Sequence, residues 1–258
     1  MKRKDIFFIF LYITGFLLSG FFLLNAYFKE QTVMPLDFGY THQNVKEEEI
    51  MEGEPVEEGQ IEVVEYETVG YEYFDNALFI GDSRTVGIME YSNLENATFY
   101  ADSGMSVFDL DRKISVPGIG KVTCYELLEN KQFDKIYLML GINELGYKFE
   151  SLEAMYRKVV EEIVSKQEGA VIYLCANMHI TEEKSKEDAI YNNTNVNRVN
   201  EMISNLADNK STFYIDVNEL FDDENGSLST KYSSDSFHVY GKYYQVWVDW
   251  LCTKGIKK

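Results

Sequence analysis

The stretch Ala77-Leu78-Phe79-Ile80-Gly81-Asp82-Ser83-Arg84-Thr85-Val86-Gly87 decides how this chain is read. Its first four residues are an apolar run too short for a helix and closed by a glycine, the pattern of a buried strand. Gly-Asp-Ser follows at once, which puts Ser83 at a strand-to-helix turn. A helix start offers unpaired backbone N–H groups and the positive end of a dipole, so a hydroxyl there sits beside donors for a developing negative charge. Capping that helix is the plainer role for such a serine.

Working outward, the same grammar recurs. Apolar strand-like runs fall at 98–100, 135–140, 171–174 and 212–215. Between them, 151–166 carries apolar residues at helical spacing (Leu152, Met155, Tyr156, Val159, Val160, Ile163) with Ser151 as N-cap. Residues 195–207 repeat the pattern, and 243–252 reads as a closing helix. Strands alternating with helices predict an α/β fold, a parallel sheet covered on both faces. Ligands in such folds bind at the carboxyl ends of the strands. Those ends hold Gly81-Asp82-Ser83-Arg84, Ala101-Asp102-Ser103-Gly104-Met105 and Gly141-Ile142-Asn143-Glu144, while Asp235-Ser236-Phe237-His238 follows the last strand and a polar loop.

Acyl transfer needs a nucleophile, a base to take its proton, an orienter for that base and donors for the oxyanion. Three histidines are available. His42 lies in an acidic, unpatterned segment, and His179 follows the fourth strand and reads as a rim residue. His238 alone has a carboxylate three residues before it, so Asp235 can fix its tautomer. No His, Cys or Asp spacing resembles a zinc site, and no cofactor is implied.

The four strand-end blocks together resemble the SGNH (GDSL) hydrolases, serine esterases whose blocks occur in this order; the likeness covers about residues 76–252. It implies a three-layer α/β/α, flavodoxin-like sheet with Ser83, Asp235 and His238 as catalytic residues. The family's oxyanion hole would fall on the Ser83 amide, the Gly104 amide and the Asn143 side chain. Arg84 stands where leucine is usual, Glu144 where aspartate is frequent and Val239 where proline is frequent. Arg84 is expected either to pair with Glu144 or to meet an anionic substrate. Arg84, Met105, Tyr147, His179 and Phe237 are the expected substrate rim, with Phe149 and Tyr240 beside them. Asp82 is expected to support the loop. A surface acyltransferase or a lysophospholipase would use the same residues, and a non-catalytic binding protein would not need them intact.

The remainder of the chain frames this domain. Of 258 residues with a formal net charge of −19, the excess acid argues against a nucleic-acid partner, which needs clustered Lys and Arg. Met1-Lys2-Arg3-Lys4-Asp5 precedes an uncharged apolar run at 6–28, long enough as a helix to cross roughly 30 Å of hydrocarbon. The flanking charges put the N-terminus inside and the rest outside the cell membrane, with a cleaved signal peptide as the alternative. Residues 29–73, crowded with glutamates, read as an extended acidic tether with a short strand at 61–64; 74–258 is the hydrolase domain. Three cysteines, Cys124, Cys175 and Cys252, are too few for a disulfide framework but leave one bridge open.

Overall fold

Strand β1 (Ala77–Gly81) is buried at all five positions, which only a sheet covered on both faces allows. The protein is seen here as a computed structural model that describes residues 64–256. The apolar run at 6–28 and most of the predicted tether lie outside the described residues. Among the described ones, no helix is long and apolar enough to cross a membrane.

After β1 come α1 (Ser83–Tyr91), β2 (Thr98–Ala101), the hairpin strands β3 (Ile114–Val116) and β4 (Gly120–Val122), α2 (Cys124–Asn130) and β5 (Lys135–Met139). Then follow α3 (Phe149–Lys166), β6 (Val171–Cys175), α4 (Glu182–Glu187), α5 (Asn193–Ser204), β7 (Thr212–Ile215), α6 (Asn218–Phe221) and α7 (Lys242–Leu251). The main sheet has five strands in the order β2-β1-β5-β6-β7, every neighbouring pair parallel. Its order reverses between β1 and β5, and a crevice opens at such a reversal beyond the strand ends.

Alternation along the strands sorts the core into two layers. Leu78, Ile80, Ile136, Leu138, Ile172 and Leu174 face α2, α3 and α5. Phe79, Phe99, Tyr137, Tyr173 and Phe213 face α1, α6 and α7. On the second face the in-register residues Phe99, Phe79, Tyr137 and Tyr173 form a stacked row, with ring centroids 5.1, 4.4 and 4.5 Å apart. Each such pair adds about 0.5–1.5 kcal/mol beyond its burial. The row pins the relative height of four strands and so aligns their carboxyl ends.

Two sequence expectations change. Helix α3 starts at Phe149 with Lys148 at its N-cap, so Ser151 lies inside the first turn rather than capping it. Residues 64–73, expected to be tether, lie against the domain. Glu67 pairs with Gly255 in an antiparallel bridge, the Val69 amide donates to the Cys252 carbonyl at 2.8 Å, and Val64, Tyr66 and Tyr73 pack on the aromatic layer. Of the strand expected at 61–64, only Val64 falls among the described residues, outside any strand. The three cysteines are unpaired.

Candidate active site

Ser83 is the first residue of α1, but it does not cap that helix. Asp82 does: its carboxylate accepts the Arg84 amide at 3.0 Å. Ser83 Oγ is left to meet His238 Nε2 at 2.7 Å. The His238 ring reaches back through Nδ1 to Asp235 Oδ2 at 2.8 Å. Asp235 Oδ1 meanwhile accepts the backbone amides of Phe237 and His238 at 2.9 and 2.8 Å, a tight Asx-type turn. Ser236, inside that turn, sits at φ 74, a conformation that a non-glycine residue holds only when its surroundings over-determine it. The bonds that do so are Ser236 N to Ser233 Oγ at 3.0 Å and Thr181 N to the Ser236 carbonyl at 3.2 Å.

Burial raises the pKa of Asp235, but the two amides and the imidazole outweigh it and hold the carboxyl down at about 2. It is therefore ionised wherever the imidazole must be polarised. The loop is brought to Ser83 by the contact of α1 with α7. At Gly87 a Cβ would come within 2.1 Å of the Tyr244 ring, so only glycine permits this approach.

The residues expected as the other oxyanion donors follow β2 and β5, the two strands paired with β1. Asp102 to Met105 form a turn closed by Met105 N to Asp102 O at 3.1 Å, and Gly104 within it has φ 74 with open space where a side chain would be. Asn143 follows β5, the strand beside β1. One of its two amide hydrogens is committed to the Met105 carbonyl at 2.9 Å, which leaves the other for a ligand.

Several expected rim residues lie elsewhere. Arg84, 2% exposed, is no rim residue: it points inward and forks onto the Asp82 carboxylate, with Nη2 also reaching Asn177 Oδ1 at 3.0 Å. Its direct partner is Asp82 and not Glu144, and its burial leaves it no open face for an anionic substrate. Met105, at 0% exposure, offers only its carbonyl. His179 is buried with both ring nitrogens engaged, Nδ1 on Asp222 Oδ2 at 2.8 Å and Nε2 on Asn197 Oδ1 at 2.6 Å. Burial lowers its pKa, and these two bonds more than reverse that. It clamps the loop after β6 to α5 and the end of α6.

Phe149 lies under the Arg198 guanidinium at the start of α3. Tyr147 and Tyr240 are exposed, Tyr147 with its ring stacked on Phe108 at 5.2 Å; Phe237 is half-buried, edge-on to Tyr191. Sequence reading missed Asn177 and Asn200, which hold Arg84 and each other beneath the site. Asn177 stands two residues beyond β6, and that position was its only signal. Among the described residues no group of three or more His, Cys, Asp or Glu is gathered as a metal would need.

The arrangement is that of an acyl-transfer centre, with a hydroxyl on an imidazole, a carboxylate behind it and a free amide N–H on the neighbouring strand end. The profile of the GDSL-like lipase/acylhydrolase family matches residues 79–246. No relative is found among curated proteins. Among solved structures the chain is similar to a candidate platelet activating factor from Streptococcus pneumonia, at 21% identity and a TM-score of 0.50, over 72% of this chain and 82% of that one. It is similar also to an acetylxylan esterase from Geobacillus stearothermophilus, at 17% identity and a TM-score of 0.48, over 70% and 94%. A family two carbohydrate esterase from Clostridium thermocellum matches at 13% identity and a TM-score of 0.47, over 68% and 61%. At 21% identity the first of these likenesses concerns the fold alone.

Proposed function

The chain belongs to the GDSL-like lipase/acylhydrolase family, which makes it an esterase or acylhydrolase, and from that premise we propose a serine esterase for small acyl esters, above all acetyl groups on cell-surface carbohydrate. The observation that carries the reading is the unbroken line from Ser83 through His238 to Asp235, at 2.7 and 2.8 Å.

In this reading His238 Nε2 takes the Ser83 proton as Oγ attacks the ester carbonyl. The oxyanion is met by the Ser83 and Gly104 amides and by the free N–H of Asn143. Collapse of the tetrahedral species gives acyl-Ser83, and His238 returns the proton to the leaving alcohol. Water, deprotonated by the same imidazole, then attacks the acyl-enzyme, releasing the acid and restoring Ser83. Asp235 stabilises the imidazolium in both halves.

Two features support a small acyl group on a sugar. The ground beneath Ser83 is polar and buried (Asp82, Arg84, Glu144, Asn177), a poor place for an alkyl chain. The exposed Tyr147 and Tyr240 offer aromatic faces with polar tips, suited to stacking on sugars. The full chain in detergent is expected to show a kcat/KM for acetyl esters at least about tenfold above that for octanoyl esters, since the buried groups beneath Ser83 are polar ones. A preference for long chains, or ready lysophospholipid hydrolysis, would overturn the substrate. Acetyl transfer to an added sugar in place of release into water would make the enzyme a transferase.

We place the domain outside the cell, held by a membrane helix at 6–28, on the strength of the basic tip, the apolar run and the acidic stretch after it. Protease added to intact cells is then expected to free the domain by cutting between 29 and 63. Full protection in cells with a permeable wall would reverse the orientation.

A further inference from the structure

Glu144 is a carboxyl group with no exposure at all, one residue from Asn143, and the chemistry above gives it nothing to do. Burying such a group is costly unless its contacts repay it. Its Oε1 accepts the Val107 amide at 2.6 Å. Asn143, on the same turn, donates to the Met105 carbonyl at 2.9 Å. The Ile142–Glu144 turn and the Met105–Val107 segment are thus fastened by two bonds of opposite sense, one given and one received. Both remaining oxyanion donors belong to these two pieces of chain, since Gly104 immediately precedes Met105. With one bond the Asn143 amide can swing about its own side-chain torsions; with two, the turn and the segment move as a unit.

We propose that Glu144 is a positioning residue of the oxyanion hole, acting through Asn143 by holding the Val107 amide. The proposal rests on the serine-esterase reading of the same site. What it requires of residue 144 is an oxygen acceptor at the reach of a glutamate, not a negative charge. The surroundings agree. Burial pushes the carboxyl up to about 7, the Val107 amide pulls the other way, and of the two charged groups at the start of α1 Asp82, its cap, raises it and Arg84 lowers it. On the α3 side, Tyr156 is buried near enough to feel its charge. A group so poised spends part of its time neutral at ordinary pH, and either form keeps an oxygen for Val107.

The test separates reach from charge. Glu144→Gln keeps the acceptor without the charge; Glu144→Asp keeps the charge but falls one methylene short. Both are made in the full chain and assayed on an activated acetyl ester, with kcat expressed per Ser83 titrated by an organophosphonate, so that misfolded enzyme does not count. Glu144→Gln is expected to retain activity to within about threefold. Glu144→Asp is expected to lose kcat roughly tenfold with KM little changed, below the roughly 10²–10³ of deleting one oxyanion donor outright. In an Asn143→Ala background the aspartate variant is expected to cost less than about twofold more, because groups that act as a unit do not add.

The reverse order, with Gln damaging and Asp tolerated, overturns the proposal, as does an undiminished loss in the Asn143→Ala background. If the parent neither hydrolyses the ester nor takes up the phosphonate, the serine-esterase reading fails and this inference fails with it. An active parent with the order reversed removes this inference alone.

Discussion

Replacing Ser83 by alanine is expected to lower kcat for ester hydrolysis by roughly 10⁴–10⁶, the scale seen when a serine nucleophile is removed from a triad. The fold should not suffer, because Asp82 rather than Ser83 caps α1, and the lost hydroxyl belongs to a half-buried residue whose partner is the His238 ring. His238→Ala is expected to cost nearly as much, and the double variant little more than either, since proton and nucleophile leave together. Far-ultraviolet circular dichroism and the melting temperature check the fold, and kcat on an activated acetyl ester checks the chemistry. Activity within a few-fold of the parent for Ser83→Ala, in a preparation free of other esterases, would end the assignment of the nucleophile.

Asp235→Asn is expected to lower kcat by about 10³–10⁴, through the tautomer of its neighbour. The side-chain oxygen of asparagine can still take the Phe237 and His238 amides that Asp235 Oδ1 now holds, so the turn survives. Its NH₂ would then face His238 Nδ1, where the carboxylate stands at 2.8 Å. That selects the ring form with hydrogen on Nε2, which cannot accept a proton from Ser83. The sign of the linkage follows from the lowered pKa: Asp235 contributes stability above its ordinary value near 4, and this is lost as pH falls towards about 2. Loss of activity above that window is therefore not protonation of Asp235. A variant within tenfold of the parent would show that another group orients the ring.

Much of the sheet was legible because its strands are covered on both faces. Apolar runs such as Leu138 and Leu174 admit one reading, and the chemistry-bearing residues stand just beyond them. Direction was not legible. Arg84 was expected at the rim because it adjoins Ser83, but consecutive helical residues point about 100° apart, so a serine facing the crevice sends its neighbour into the core. Met105 and His179 failed for the same reason, since a strand end gives position along the chain and not which way a loop residue turns. Some elements were missed although their signals were there. Pro117-Gly118 closes the β3–β4 hairpin, with Gly118 at φ 74, and Thr123 and Glu126 form a capping box at the start of α2. The role of Glu144 could not be read, because its partner Val107 is distant in sequence and carries no polar side chain.

The strap at residues 67–69 decides where a mechanical load would fall. A pull arriving through Val64 meets the Glu67–Gly255 bridge and the Val69–Cys252 bond before it reaches β1. Those bonds lie past the last residue of α7, whereas His238 lies just ahead of the first. Ten residues of helix, about 15 Å at 1.5 Å each, stand between anchor point and imidazole. A load entering at residue 64 would thus be borne at the 67–69 strap, and the 2.7 Å contact between Ser83 and His238 would stay out of the line of force.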